Sequence, residues 1–127
     1  MPAVRRVNDC FQPTWEETHR LLLQLQDKPA TQVSLEVDDD ICFVVEFVEG
    51  FGYYMIGCGT SDRDYFNLIE SRLGDDITEA RLAHELMSFP RYTLVSEDIL
   101  LRATKTFFES GVRDPSCEWV LERDAHY

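Results

Sequence analysis

The middle third of the chain is patterned as a set of β-strands. Every second residue is apolar over 32–37, as in a strand with one face in water. The stretch 41–48 is apolar at almost every position, which predicts a central strand covered on both faces. After a tight connection at Glu49-Gly50, the stretch 51–58 predicts the next strand. Three neighbouring strands joined by short turns predict an antiparallel β-meander.

Two stretches with helical spacing enclose this meander. Thr14 and Glu17 form the sequence pattern of a capping box, so a helix is predicted from there to about Gln26. A second helix is predicted after Ser96, because the acidic residues that follow favour the positive end of the helix dipole. Gly111 is expected to end that helix.

The remaining segments are less uniform. A fourth strand is predicted over 65–69, and residues 92–95 are predicted to be extended. The stretch 77–89 fits helical spacing and strand alternation equally well, so both stay open. A final strand over 117–121 carries Trp119. The expected fold class is α+β: a single domain over the whole chain, whose mostly antiparallel sheet is packed by an N-terminal and a C-terminal helix.

The charge balance narrows the range of partners. Twenty-four acidic residues face twelve Lys and Arg, a net charge of −12. A surface this negative repels nucleic acid and anionic lipid, and it attracts a basic protein. Simple solubility also explains an acidic composition, so charge alone does not establish a binding function.

The cysteines and the lack of long apolar runs indicate a compartment. Cys10, Cys42, Cys58 and Cys117 include no C-x-x-C pair, so neither a zinc site nor a disulfide framework is expected, and the thiols are predicted to be reduced. No apolar run approaches the roughly 20 residues that cross a bilayer. The N-terminus carries no signal-peptide core. A cytoplasmic protein without membrane contact is expected.

No catalytic motif stands out. Gly57-Cys58-Gly59 is compatible with a nucleophile on a turn, but such glycines more often mark a bulge or a strand end. The histidines His19, His84 and His126 lie far apart and identify no base. The acids 38–40 are consecutive rather than alternating, so they predict a turn and not a calcium loop. We expect no cofactor, no metal and no enzymatic activity, with a cysteine-dependent enzyme as a minor alternative.

Acidic residues and tyrosines concentrate in the middle of the chain, on the predicted strands and between them. Tyrosine often anchors protein interfaces, and charge complementarity favours the right partner. A solvated face of the sheet explains the same pattern equally well. The candidate residues for binding a basic partner are Asp38, Asp39, Glu49, Tyr53, Tyr54, Asp62 and Asp64.

The last third of the chain resembles a known family. A helix that contains Ala103 runs to Phe107-x-x-x-Gly111, and Pro115 then precedes a strand that bears Trp119. This arrangement resembles the C-terminal signature of immunity protein family one of bacterial polymorphic toxin and contact-dependent inhibition systems. The apolar hairpin around Gly50 also looks like the middle of that family.

The resemblance implies an intracellular protein that binds a cognate toxin and neutralises it without catalysis. We expect the toxin to present a basic surface, and the chain itself to be a monomer or a weak homodimer. The alternative is a chaperone or adaptor for a secreted effector, which would also be small and acidic.

Overall fold

The computed structural model describes residues 2–28, 31–82 and 85–124. Its helices are α1 (Trp15–Gln24) and α2 (Glu97–Ser110). Its strands are β1 (Arg6–Val7), β2 (Cys10–Phe11), β3 (Gln32–Glu36), β4 (Cys42–Val48), β5 (Gly52–Gly57), β6 (Phe66–Ile69), β7 (Ile77–Leu82), β8 (Glu85–Pro90) and β9 (Glu118–Leu121). Short 3-10 helices cover Ser71–Leu73, Arg91–Thr93 and Glu122–Asp124.

Most of the strands form one antiparallel sheet in the order β2-β1-β3-β4-β5-β6-β9. Strands β7 and β8 form a separate antiparallel hairpin. The predicted α+β class with a mostly antiparallel sheet is confirmed. Strands β3 to β6 lie side by side in chain order, as in a meander, and β9 with Trp119 closes the sheet beside β6.

The N-terminus of α1 and the C-terminus of α2 follow the predicted local chemistry, whereas the Ser96 side chain makes no capping hydrogen bond at the start of α2. Thr14 Oγ1 accepts the backbone N–H of Glu17 at 3.1 Å, and the Glu17 carboxylate accepts the N–H of Thr14 at 3.0 Å. This capping box satisfies N–H groups that the first turn of α1 leaves without a partner. Helix α2 ends where Gly111 adopts a left-handed conformation with φ of 74°, which glycine reaches without steric cost.

The main core lies between the large sheet and the helices. Phe43 and Val45 of β4 and Met55 of β5 belong to it and are fully buried. Phe107 packs edge-on against Phe43, with ring centroids 4.8 Å apart. Full burial of a large apolar side chain contributes roughly 1.5–3 kcal/mol. The buried helix residues in this core are Leu22 of α1 and Leu100, Ala103, Phe107 and Phe108 of α2.

The β7–β8 hairpin covers the opposite face of the sheet. Val48 and Tyr54 lie there in a second buried cluster, with Ala80, Leu82 and Phe89 of the hairpin. In the described part of 77–89 strands form rather than a helix, but as two paired strands, Ile77–Leu82 and Glu85–Pro90, and not as one alternating stretch. A strand places Ala80 and Leu82 on the same side, where both can cover the second apolar face of β4 and β5.

The prediction of an extended segment over 92–95 is wrong for its first half. Arg91–Thr93 forms a 3-10 turn, which the N–H of Leu94 closes by donating to the carbonyl of Arg91 at 3.2 Å. The Arg91 guanidinium adds a hydrogen bond to the carbonyl of Leu94 at 2.6 Å. Val95, after this turn, forms an antiparallel bridge with Tyr53. Local hydrogen bonding to the backbone has overridden the strand propensity of the residues in the turn.

Replacing Phe107 with alanine is expected to destabilise the protein by about 3–5 kcal/mol, because the fully buried ring would leave a cavity against Phe43. The matched change Phe11→Ala removes a ring that is 71% exposed, and it is expected to change the free energy of unfolding by less than about 0.5 kcal/mol. Urea denaturation measures both values. Equal losses in the two variants would contradict this description of the core.

Candidate functional site

The turn between β3 and β4 carries three consecutive exposed aspartates, Asp38, Asp39 and Asp40. The carboxylate of Asp38 accepts the backbone N–H groups of Asp40 and Ile41 at 2.8 and 2.9 Å, so this side chain fixes the turn. The predicted turn is confirmed. The carboxylates of Asp39 and Asp40 have no hydrogen bond or ion pair within the part of the chain that the structure describes.

Strands β6 and β9 bring further acidic residues to the same end of the sheet. Leu121 of β9 is opposite Phe66 of β6, and the N–H of Glu122 donates to the carbonyl of Tyr65 at 2.9 Å. Asp64 precedes Tyr65 in the loop between β5 and β6. A cleft of about 430 Å³ opens between this loop and the β3–β4 turn. Its lining residues are Asp40, Ile41, Cys58, Asp62, Arg63, Asp64, Tyr65, Leu121, Glu122 and Arg123.

The exposed carboxylates at this end of the sheet share one property: within the described residues none of them forms an ion pair. Arg63 and Arg123 line the same cleft and offset part of the negative charge. Tyr65 lies beside them, with 58% of its surface exposed. The site therefore combines unpaired negative charge with an accessible aromatic ring. We call these carboxylates the acidic end: Asp38, Asp39, Asp40, Asp64 and Glu122.

Asp62 also lines the cleft, but it is engaged inside the protein. Its carboxylate accepts Nε and Nη2 of Arg113 at 2.8 and 2.9 Å, and the N–H of Gly59 at 2.8 Å. The same guanidinium lies 3.6 Å from the centre of the Phe66 ring. Burial acts to raise the pKa of Asp62, but the hydrogen bonds from Arg113 and Gly59 outweigh burial and hold that pKa below its ordinary value. The pair ties the β5–β6 loop to the segment after α2.

Three of the predicted binding residues lie away from the acidic end. Glu49 is exposed in the β4–β5 turn, at the other end of a seven-residue strand, roughly 20 Å away. Tyr53 is 2% exposed in the main core, where its hydroxyl accepts Gln26 Nε2 at 2.7 Å. Tyr54 is 8% exposed beneath the hairpin. Because both faces of β5 are covered, neither tyrosine is accessible as an interface anchor, and the predicted set does not form one continuous surface.

The fold adds three residues to this end that the prediction did not include: Asp40, Tyr65 and Glu122. Asp40 belongs to the same acidic triplet as Asp38 and Asp39, so the same reasoning applies to it. Tyr65 adjoins the predicted Asp64 at the start of a strand. Glu122 reaches the cleft through the pairing of β6 with β9, and no local pattern predicts a pairing between segments so far apart.

Cys58 lies at the edge of the cleft. Its side chain is buried, and its thiol donates to the carbonyl of Asp40 at 3.0 Å. No histidine of the described residues lines the cleft, and His19 lies in α1. His84 and His126, the other two histidines considered as bases, lie outside the described residues. Within the described ranges there is no group of three or more side chains placed to hold a metal ion.

Comparison with protein-family models, with curated proteins and with solved structures gave no significant match. Across residues 2–28, 31–82 and 85–124, no helix is long and apolar enough to cross a bilayer. Function is therefore inferred from the acidic end and from the residues that build it.

Replacing Asp62 with asparagine is expected to destabilise the protein by about 1.5–3 kcal/mol at neutral pH, because Arg113 loses its charged partner in a partly buried position. Asp64→Asn, two residues away and exposed, is expected to have little effect and is the matched control. Urea denaturation of both variants measures the difference.

The Asp62 contribution has a defined pH dependence. Because its pKa is lowered in the folded protein, the stabilisation is present above the ordinary value of 3.8 and is lost as the pH falls through the lower folded pKa. The stability difference between Asp62→Asn and the control should therefore shrink in acid. A difference that stays constant down to about pH 2 would contradict the role assigned to this pair.

Proposed function

We propose that this chain is a cytoplasmic immunity protein, which binds the toxin domain of a competing bacterium and blocks the toxin's active site without catalysing a reaction. The observation that carries the proposal is the acidic end. There, exposed carboxylates without ion pairs among the described residues surround a cleft, and Tyr65 stands exposed beside them.

Charge defines the class of partner. The chain has a net charge of −12, and the carboxylates of the acidic end project part of it into solvent. Their field attracts a basic surface, such as the nucleic-acid-binding cleft of a nuclease toxin. Carboxylates that occupy the positions of substrate phosphates would exclude the substrate, so inhibition needs no chemistry. Complementary charge also speeds the association of the two proteins.

Tight inhibition also requires a buried contact. An exposed ion pair contributes only about 0–1 kcal/mol, whereas aromatic side chains are frequent anchors of protein interfaces. Tyr65 is suited to this role, because its ring is accessible at the cleft and its carbonyl is held by the N–H of Glu122. It takes the place of Tyr53 and Tyr54, which are buried within the protein.

The residues of the family resemblance support the proposal through the scaffold. Trp119 Nε1 donates to the carbonyl of Asp114 at 2.9 Å, and its ring lies 5.4 Å from that of Phe43. These contacts hold β9 beside β6, and the β6–β9 pairing in turn brings Glu122 to Tyr65. The residues of the motif therefore support the surface that we propose binds the toxin, and they do not contact the toxin themselves.

A rescue experiment tests this function. The C-terminal domain of the protein encoded directly upstream should be toxic when expressed in a bacterial host, and co-expression of this chain should restore growth. An upstream gene that encodes no secreted protein with such a domain, or toxicity that this chain fails to relieve, would contradict the proposal. Improved solubility or export of the upstream protein, without protection, would instead identify a chaperone or adaptor.

Charge reversal tests the surface. The double variant Asp39→Lys/Asp64→Lys should lower the association rate constant with the toxin domain about tenfold and leave the dissociation rate nearly unchanged. Glu49→Lys/Glu79→Lys reverses the same number of exposed charges elsewhere on the chain and is the matched control. Stopped-flow association kinetics at low salt compare the two. Equal rates for both variants would rule out the acidic end as the binding surface.

A further inference from the structure

Cys42 is the first residue of β4 and Cys58 directly follows β5, so extending the β4–β5 register by one residue places them opposite each other. The N–H of Cys58 donates to the carbonyl of Cys42 at 2.9 Å, and the preceding pair in the register is Phe43 opposite Gly57. Residues directly opposite in an antiparallel pair project their side chains to the same face of the sheet. The two thiols are therefore cross-strand neighbours, although 15 residues separate them in the sequence.

The backbone spacing at this position suits a disulfide. Opposite residues at a hydrogen-bonded position have Cα atoms about 5.5 Å apart, within the range of about 4.4–6.8 Å found for disulfides. The strands approach closely beside the thiols: a Cβ added to Gly57 would lie 2.6 Å from the Cα of Phe43. Glycine at this position removes the side chain that would hold the strands apart.

We propose that Cys42 and Cys58 form a reversible disulfide when the protein meets a low-molecular-weight disulfide such as oxidised glutathione. The Cys58 thiolate attacks one sulfur of the oxidant and releases one reduced glutathione. The Cys42 thiolate then attacks the Cys58 sulfur of the mixed disulfide and releases the second. Each released thiolate takes up one of the two protons lost by the cysteines, so the protein dithiol is oxidised and the glutathione disulfide is reduced.

The spacing of the side chains indicates that the bond is labile rather than structural. Cβ atoms of opposite residues lie about 4.5–5.5 Å apart, whereas a disulfide needs about 3.5–4.5 Å, so closing the bond strains the ladder. Strained disulfides are reduced more readily. Burial, followed by the nearby Cys58, Glu36 and Asp38, raises the pKa of Cys42, so less of this thiol is present as thiolate and the second step is slow.

The pair is connected to the acidic end. The Cys58 thiol donates to the carbonyl of Asp40 at 3.0 Å, and this hydrogen bond is lost when the sulfur is oxidised. Oxidation therefore releases one anchor of the β3–β4 turn. The modification site itself does not depend on the proposed function, and its test requires no toxin.

Peptide mapping of the full-length protein tests the proposal. After incubation with excess oxidised glutathione, the tryptic peptide 21–63, in which Cys42 and Cys58 are the only cysteines, should lose the mass of two hydrogen atoms. Excess reduced glutathione should restore the mass. The variant Cys10→Ser/Cys117→Ser keeps the pair and should behave in the same way.

Single replacements give the matched controls. Cys42→Ser should leave Cys58 able to carry one glutathione, but it should abolish the internal bond. The proposal is overturned if the wild-type peptide 21–63 keeps both thiols free, or if it carries glutathione without an internal disulfide at equilibrium. The wild-type measurement decides the matter even if a serine variant does not fold.

Discussion

The structure depends on the burial of both faces of strands β4 and β5. One face supplies Phe43, Val45 and Met55 to the core beneath the helices. The other supplies Val48 and Tyr54 to the cluster beneath the hairpin. Apolar residues on two faces of a sheet require two covering layers, so the helices and the hairpin are both needed. The turns at the strand ends are then the places where this region exposes its polar side chains.

The acidic residues divide into two classes that the net charge does not distinguish. Burial acts to raise the pKa of Asp114, but hydrogen bonds from Thr106 and Ser116 lower it below its ordinary value. Asp62 is held in the same way by Arg113. These carboxylates fix loops and helix ends. The carboxylates of the acidic end make no ion pair among the described residues, although that of Asp38 accepts two backbone N–H groups. Like other exposed acids such as Glu49 and Glu79, they are available to a partner.

Features of the fold that depend on a few adjacent residues were predicted correctly from the sequence. The capping box at Thr14 and the left-handed Gly111 are examples, since each depends on a few adjacent residues. The segment 77–89 was ambiguous because its apolar spacing satisfies two periods, and only the uncovered face of the sheet selects the strand form. The first half of 92–95 was predicted wrongly for a related reason: strand propensity does not include the contact by which the Arg91 side chain supports the 3-10 turn.

The sequence predicted those residues of the candidate site whose exposure depends on a local turn, and it missed those that depend on the pairing and covering of strands. Consecutive aspartates in a turn must be exposed, so the sequence was enough to predict that Asp38 and Asp39 are accessible to a partner. Tyr53 and Tyr54 belong to β5, next to the central strand β4. The layers that cover the two faces of β4 also cover those of β5, so both tyrosine rings are buried. Glu122 depends on the β6–β9 pairing, a contact between distant segments that the sequence pattern does not supply.

The proposed function places the toxin on the acidic end. Amide hydrogen exchange of this chain, free and saturated with the toxin domain found by the rescue experiment, tests it most directly. If the toxin binds there, exchange should be slower over 38–41 and 62–65 in the complex and unchanged over 49–51 at the opposite end of the sheet. Protection of 49–51 without protection of 38–41 and 62–65 would contradict it.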